Sequence, residues 1–264
     1  MEATREILEA VYQKYNRPDC IHPDPLELVR PYDDPMDREV AGIVAASLAY
    51  GRVEQILKSV SAVLDHMKEP ASFLRLATKK ALGSRFSGFK HRFADGGALC
   101  SLLLGVKGVR AEFGSLGAAL EAGLDEGHDT VVPALTALVE RLEKAGAGQC
   151  GHLLPDPVKG GACKRLHLYL RWMVRHDAVD PGGWDSIPPS KLVVPLDTHM
   201  HKIALFLGLT KRKSADARTA LEITSAFRRF SPADPVRYDF ALTRGGILLK
   251  EDPESFLSSV VSAT

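Results

Sequence analysis

Six aspartate–proline pairs divide this chain, and the segments around them have the apolar spacing of amphipathic helices. The pairs begin at Asp24, Asp34, Asp156, Asp180, Asp234 and Asp252. An aspartate side chain accepts hydrogen bonds from the free N–H groups at a helix N-terminus, and proline suits the first helical position. Such pairs are therefore typical of helix starts. Strand-like alternation is nearly absent, and the only short β-like run covers residues 191–196. We predict an all-α fold.

The helical periodicity also predicts where the helices lie. It indicates a long apolar stretch over residues 36–64, interrupted at Gly51. Four shorter helices are predicted over residues 3–15, 97–113, 132–145 and 161–176. Further helices are predicted to begin at Asp197, Ser214, Asp234 and Asp252.

The composition bears on location, partners and cofactors. No apolar run reaches the roughly 18 residues of a membrane span, and the charged N-terminal segment is unlike a signal peptide. We therefore expect a cytoplasmic, nucleoid-associated protein with no membrane contact. The net charge is +1, so binding to a polyanion would depend on local clusters of basic residues. The four cysteines are far apart and form no CxxC pair, which argues against zinc or an iron–sulfur cluster. We expect no cofactor.

The segment Val194–Ile203 contains the first candidate site. An extended stretch leads into a helix with Asp197 as its N-cap, which by itself predicts only a capping role. A carboxylate at a helix N-terminus is also held ionised, so it can stabilise positive charge on a sugar or orient a water molecule. A third interpretation takes Asp197, His199 and His201 as metal ligands, although two histidines two residues apart on a helix point in different directions.

The second candidate is the turn of residues 154–165, which is rich in proline and glycine and leads into a helix. Free N–H groups there favour an anion, and Gly160 and Gly161 allow close approach of a phosphate backbone. Lysine is the usual Schiff-base nucleophile, which makes Lys164 a catalytic candidate. The alternative is a solvent-exposed basic face formed by Lys164, Arg171 and Arg175, opposite the apolar stripe of this helix.

The third candidate is residues 46–55, where polar residues and Gly51 interrupt the apolar pattern. A packing glycine or a simple kink is one interpretation. The other is a break that presents Tyr50 and Arg52 to a ligand.

Taken in order, these motifs resemble the helix-hairpin-helix superfamily of DNA glycosylases, which includes endonuclease III and the 8-oxoguanine glycosylases. Residues 194–203 are similar to the segment that carries the catalytic aspartate of that superfamily, and residues 154–165 resemble a degenerate hairpin that ends at the catalytic lysine. Residues 43–55 resemble the helix and turn that insert a side chain into DNA. The likeness covers roughly residues 36–250, and it also extends to a bacterial family of uncharacterised proteins within the superfamily.

Two departures refine this resemblance. The hairpin lacks the leucine-proline-glycine-hydrophobic-glycine core, and the C-terminal four-cysteine cluster motif is absent. Lys164 and Asp197 are 33 residues apart, a separation resembling that of the cluster-free archaeal 8-oxoguanine glycosylases.

The resemblance implies two helical lobes: residues 41–196 form a central lobe with a hairpin near 154–176, while residues 1–40 and 197–264 form a terminal lobe.

The resemblance implies a monomeric DNA glycosylase and AP lyase that acts on double-stranded DNA containing a damaged base. Lys164 would attack the sugar and Asp197 would stabilise the developing charge. Asp239 would contact the everted base, with 8-oxoguanine as the first candidate substrate. Further substrate-binding residues expected on this basis are Tyr50, Arg52, Lys159, Gly160, Gly161, Arg165 and His199. Two alternatives remain open: a DNA-binding protein without catalysis, and a metal-dependent hydrolase that uses Asp197, His199 and His201.

Overall fold

A computed structural model describes residues 2–147, 150–249 and 252–261, and these residues fold almost entirely as helices. The α-helices are α1 (Glu2–Tyr15), α2 (Pro35–Ser47), α3 (Val53–Leu64), α4 (Pro70–Leu76), α5 (Lys79–Arg85), α6 (Gly96–Phe113), α7 (Leu116–Glu121), α8 (Val132–Ala145), α9 (Lys164–Val174), α10 (Thr198–Phe206), α11 (Ala217–Arg228), α12 (Asp239–Arg244) and α13 (Pro253–Val261). One antiparallel pair of short strands joins α5 to α6, β1 (Lys90–His91) and β2 (Ala94–Asp95). The predicted all-α class is confirmed.

Four of the six aspartate–proline pairs cap helices as predicted. The Asp34 side chain accepts a hydrogen bond from the Met36 N–H at the start of α2, and Asp252 caps α13 in the same manner. Asp24 and Asp156 cap single turns of 3₁₀ helix. The other two pairs do not cap helices, because the Asp180 and Asp234 carboxylates both pair with Arg175.

Three predicted element positions differ from the structure. A helix predicted from Asp234 begins at Asp239, because the Asp234 side chain is held by Arg175 instead of capping. The helix predicted from Ser214 begins at Ala217, where Asp216 accepts from the Thr219 N–H. In the β-like run 191–196, Lys191 ends a 3₁₀ turn and residues 192–196 pair with no strand among the described residues.

The predicted interruption at Gly51 is present. α2 ends at Ser47 and α3 begins at Val53, and Gly51 has a φ of +105°, a conformation that residues with a side chain rarely adopt. The break turns the chain sharply between two otherwise continuous apolar helices.

Packing brings distant parts of the chain together. α6 packs against α7 and α8, and α2 packs against α4 and α9. α1 packs against α12 and α13, so residues near both ends of the chain are neighbours. Among the described residues, no helix is long and apolar enough to cross a bilayer.

Candidate active site

A cavity of about 680 Å³ is lined by residues from several distant segments of the chain. Five of the residues singled out from the sequence line this one cavity: Tyr50, Lys164, Asp197, His199 and Asp239. They come from the break after α2, the start of α9, the start of α10 and the start of α12. The fold therefore joins the three sequence motifs and Asp239, and the most distant of these residues, Tyr50 and Asp239, are 189 positions apart in the chain.

Lys164 and Asp197 meet at the wall of this cavity. The Lys164 Nζ lies 3.3 Å from the Asp197 Oδ2, and the two side chains are 35% and 20% exposed. The other carboxylate oxygen of Asp197, Oδ1, accepts hydrogen bonds of 2.9 Å from the N–H groups of His199 and Met200. The same carboxylate therefore caps α10 and contacts the lysine at once. Capping fixes its position without using the oxygen that faces the amine.

The residues before Lys164 form a strained, open loop. Cys163 has a φ of +43°, a left-handed conformation that is uncommon and costly for a residue with a side chain. Gly160 is also left-handed, and neither it nor Gly161 has a neighbour within 4 Å of where a Cβ would lie. Lys159 is exposed, with its Nζ 3.9 Å from the Asp156 carboxylate. The Gly160 N–H donates to the Pro157 carbonyl at 3.2 Å and the Gly160 carbonyl accepts from the Ala217 N–H at 3.0 Å, so it is the exposed Lys159 side chain that this loop offers to a ligand.

A buried ion pair forms another part of the cavity lining. The Arg171 Nη1 donates to the Asp239 Oδ2 at 2.5 Å, and the Asp239 side chain is only 4% exposed. Two polar atoms of this pair, the Asp239 Oδ1 and the Arg171 Nη2, have no hydrogen-bond partner within the described protein. Burial raises the pKa of Asp239 to about 6, with Arg171 opposing the rise and Asp197 adding to it. Both residues line the cavity, so the pair places a buried acceptor and a buried donor without partners beside it.

Arg171 and Arg175 lie in the interior, so the solvent-exposed basic face predicted for them is wrong. Arg175 contacts Asp177, Asp180 and Asp234, and Arg171 also contacts Asp180 with an Nε–Oδ1 distance of 3.2 Å. The physical reason is that acidic side chains from outside α9 surround its C-terminal half. A charge that has several such partners is stable away from water.

Tyr50 sits in a cluster of rings at another part of the cavity lining. Its hydroxyl donates to the His91 carbonyl at 2.9 Å, and its ring meets those of His91 and His152 edge to face. The Arg165 guanidinium lies over the same ring, 4.8 Å from its centre. Arg165 also donates to the carbonyls of Ser47 and His152, each at 2.5 Å, and is buried. The guanidinium is therefore occupied within the protein, which gives no support to the predicted role of Arg165 in substrate binding.

The histidines of α10 separate in the structure. His199 lines the cavity, and its ring lies so close to Gly246 that a Cβ there would approach the Nδ1 to 2.4 Å. The His201 Nε2 instead contacts the Arg212 carbonyl at 2.8 Å. Across the described ranges, no group of three or more histidine, cysteine, aspartate or glutamate side chains could hold a metal ion, so Asp197, His199 and His201 do not assemble into a metal site.

One sequence prediction for this region finds no support in the cavity lining, and two cavity-lining residues were not predicted. Arg52 was expected to face a ligand, but it is exposed at the start of α3 and is not among the cavity-lining residues. Conversely, Arg171 and Arg244 line the cavity and were not predicted to do so. Arg244 is buried, with its Nη2 3.0 Å from the Asp24 carboxylate. The spacing of Arg171 and Arg175 by four residues, followed closely by Asp177 and Asp180, was the available signal for a buried charge cluster.

Comparison with known proteins assigns the chain to a family. A family model described as "Protein of unknown function (DUF2400)" matches residues 24–248, and the chain belongs to that family. No curated protein and no solved structure gives a significant match. The matched range includes all five of the cavity-lining residues predicted from the sequence.

Proposed function

We propose that this member of the DUF2400 family is a DNA glycosylase with AP lyase activity, in which Lys164 is the nucleophile and Asp197 the assisting carboxylate. The observation that carries the proposal is the 3.3 Å contact between the Lys164 Nζ and the Asp197 Oδ2 in the wall of a cavity of about 680 Å³. A nucleophile paired with a positioned proton acceptor is the arrangement that covalent catalysis needs. Pockets of this size hold small ligands in many proteins.

The first chemical step follows from that contact. The Lys164 ammonium gives a proton to the Asp197 carboxylate, and the neutral amine forms a bond to the sugar C1′. The bond between C1′ and the base breaks, and the base leaves with the electron pair and takes the proton that Asp197 had accepted, which returns the carboxylate to its ionised form. Positive charge that develops on the sugar is stabilised by the ionised form of Asp197, which the cap at α10 holds in place.

The second step cuts the strand. The bond between C1′ and the ring oxygen opens, the oxygen takes one proton from the Lys164 nitrogen, and a protonated Schiff base remains between C1′ and that nitrogen. Loss of a proton from C2′ then expels the 3′ phosphate and breaks the C3′–O bond. The end product retains the Schiff base until water releases the lysine.

The pocket supports a purine as the everted base, with 8-oxoguanine as the first candidate. Eversion costs a few kcal/mol and costs least for a damaged base. The unpartnered Asp239 Oδ1 can accept from the N–H groups of the Watson–Crick edge of a guanine, and the unpartnered Arg171 Nη2 can donate to its O6. Hydrogen bonds to charged groups are stronger than neutral ones, so this pair can supply much of the recognition.

DNA would lie across two helical lobes as the resemblance implies, with the everted base in the cavity between them. The open loop at Lys159, Gly160 and Gly161 would contact the phosphate backbone beside Lys164. The protein would act as a monomer on double-stranded DNA, without a cofactor, in the bacterial cytoplasm.

The experiment is a panel of duplexes, each with one damaged base or an abasic site, incubated with the protein and borohydride. Borohydride delivers hydride to C1′ of the Schiff base and converts it to a stable amine, so a covalent complex forms. We expect trapping with wild type and none with Lys164→Gln, while Lys211→Gln, which removes an exposed amine outside the cavity lining and leaves Lys164 in place, traps normally. Trapping by Lys164→Gln at the wild-type level would refute the assignment. A protein that binds DNA but traps no lesion would be a binding module.

A further inference from the structure

Residues 70–94 form the most basic stretch of the chain. They contain six lysine and arginine residues and no aspartate or glutamate, whereas the remainder of the chain has more acidic than basic residues. The six are Arg75, Lys79, Lys80, Arg85, Lys90 and Arg92. We call residues 70–94, which include α4, α5 and the β1–β2 hairpin, the basic segment. Such an asymmetry in a chain of net charge +1 indicates a local electrostatic function.

All six side chains are exposed. Within the described part of the chain, none of them forms an ion pair with a carboxylate. By contrast, Arg171 and Arg175 are enclosed by acidic partners. The charge of the basic segment is therefore not neutralised within the protein, and it is available to an anionic partner.

The basic segment reaches the candidate active site at its C-terminal end. The Arg92 side chain lies against Gly51, where a Cβ would approach the Arg92 Cδ to 2.9 Å. Tyr50 and Gly51 both line the cavity, and the Tyr50 hydroxyl is bonded to the neighbouring His91 carbonyl. A ligand that follows the basic segment is thus led to the rim of the cavity that contains Lys164.

Phe93 marks the junction between the basic segment and the cavity. It lies at the tip of the hairpin with 74% of its surface exposed, and its ring meets His152 edge to face at 5.4 Å. An exposed aromatic ring beside uncompensated cations fits a nucleic acid, because unpaired bases stack on such rings while phosphates contact the cations.

We propose that the basic segment is a nucleic-acid-binding surface that holds the phosphate backbone of duplex DNA and delivers one strand to the cavity. The proposal extends the glycosylase function but is separate from its chemistry, because none of the atoms assigned to bond making or breaking belongs to the segment. Uncompensated charge and continuity with the cavity favour DNA over an anionic membrane, to which an exposed phenylalanine among cations could also bind.

The test is the salt dependence of binding to a short, undamaged, fluorescein-labelled duplex, measured by anisotropy between about 50 and 200 mM salt. Lys80→Ala/Arg85→Ala/Lys90→Ala removes three exposed cations. We expect it to bind about tenfold or more weakly and to lower the log–log salt slope by about 2 to 3, since each lost phosphate contact lowers the slope by about 0.9. Phe93→Ala should weaken binding to a duplex with an abasic site, where the opposite base is unpaired and can stack on the ring. The salt slope of this variant should be unchanged.

The matched control removes three exposed cations elsewhere, in Lys14→Ala/Arg17→Ala/Arg229→Ala, and should leave the salt slope at the wild-type value. Thermal melting of all variants checks that they fold. Equal binding by wild type and the first triple variant would overturn the proposal, as would an equal loss in the control. Tighter wild-type binding to phosphatidylserine vesicles than to DNA, lost in the first triple variant, would overturn it in favour of a membrane.

Borohydride trapping separates this proposal from the glycosylase proposal. Salt-dependent DNA binding through the basic segment without trapping at any lesion would refute the enzyme and leave the surface standing. Trapping by a triple variant with unchanged salt slope would refute the surface and leave the enzyme standing.

Discussion

The two ends of α9 place positive charge in opposite environments. At its N-terminal end, Lys164 is about one-third exposed and has one carboxylate partner, Asp197, which is itself partly exposed. At its C-terminal end, Arg175 is buried and contacts three carboxylates. The two sites are 11 residues apart on one helix.

The difference separates a structural charge cluster from a reactive one. A buried cation with several partners stabilises one arrangement of the chain, and removal of any member leaves an unpaired charge in the interior. A partly exposed ion pair contributes little to stability, and its groups are accessible to a substrate. Substitutions at the two ends should therefore affect different measurements.

The largest effect is expected at the buried end. Arg175→Met removes an arginine partner from each of the Asp177, Asp180 and Asp234 carboxylates and should lower the free energy of unfolding by about 3–5 kcal/mol. Chemical denaturation measures the loss. The control Arg218→Met, at an exposed position of α11, should change stability by no more than about 0.5 kcal/mol. Similar denaturation midpoints and slopes for Arg175→Met and Arg218→Met would mean that the buried charge cluster around Arg175 does not stabilise the fold.

The next effect is on activity alone. Asp197→Asn should lower the rate of base excision by about 100- to 1000-fold, because it removes the charge that faces the sugar. Stability should change by only a few tenths of a kcal/mol, since asparagine caps a helix about as well as aspartate. Single-turnover excision measures the rate, and a denaturation curve measures the free energy of unfolding. Asp216→Asn, which alters the cap of α11, is the matched control and should retain full activity. An Asp197→Asn enzyme with wild-type rate would show that Asp197 only caps α10.

A smaller effect is expected from pH. The pKa of Asp239 is raised to about 6, so its ionised fraction should fall about tenfold per pH unit below that value. Because the ionised form is proposed to bind the base, kcat/KM for 8-oxoguanine should fall in parallel. The contribution of Asp239 to the free energy of unfolding should instead become more favourable as the pH falls. A carboxyl group whose pKa is higher in the folded state than in the unfolded chain costs stability while ionised, and the cost disappears as pH falls through about 6. Asp239→Asn should abolish this acid limb, and an unchanged limb in that variant would assign it to another group.

The smallest effect is on stability at the exposed end. Lys164→Gln should change the free energy of unfolding by about 0–1 kcal/mol, the usual contribution of a solvent-exposed ion pair. The same variant should lose all covalent trapping. A loss of several kcal/mol on denaturation would instead place Lys164 with Arg175 among the structural charges and remove the contrast between the two ends of α9.

The sequence was sufficient to predict the local features on which this contrast depends. Apolar spacing located α8 at its observed bounds, and the break at Gly51 and the cap at Asp197 followed from residue type and position. These are short-range properties: a cap needs only its own helix, and a glycine at a break needs only its own backbone.

Long-range charge pairing could not be predicted in the same way. On a helical projection, Arg171 and Arg175 lie opposite the apolar stripe of α9, which is typical of a solvent-exposed face. What buries them is a set of aspartates that includes Asp234 and Asp239, which are remote in sequence and reach α9 only through the tertiary fold. The same contacts explain why the helix predicted from Asp234 starts later. The β1–β2 hairpin was not predicted because two-residue strands have no measurable periodicity.

The most direct test of the central claim is to identify the atom that becomes bonded to DNA. Wild-type protein is trapped with borohydride on a duplex that contains 8-oxoguanine, the complex is digested, and the modified peptide is sequenced by mass spectrometry. The account predicts a single adduct on the Lys164 side chain. An adduct on Lys159 or on the N-terminal amine, or no adduct on any damaged duplex, would contradict it.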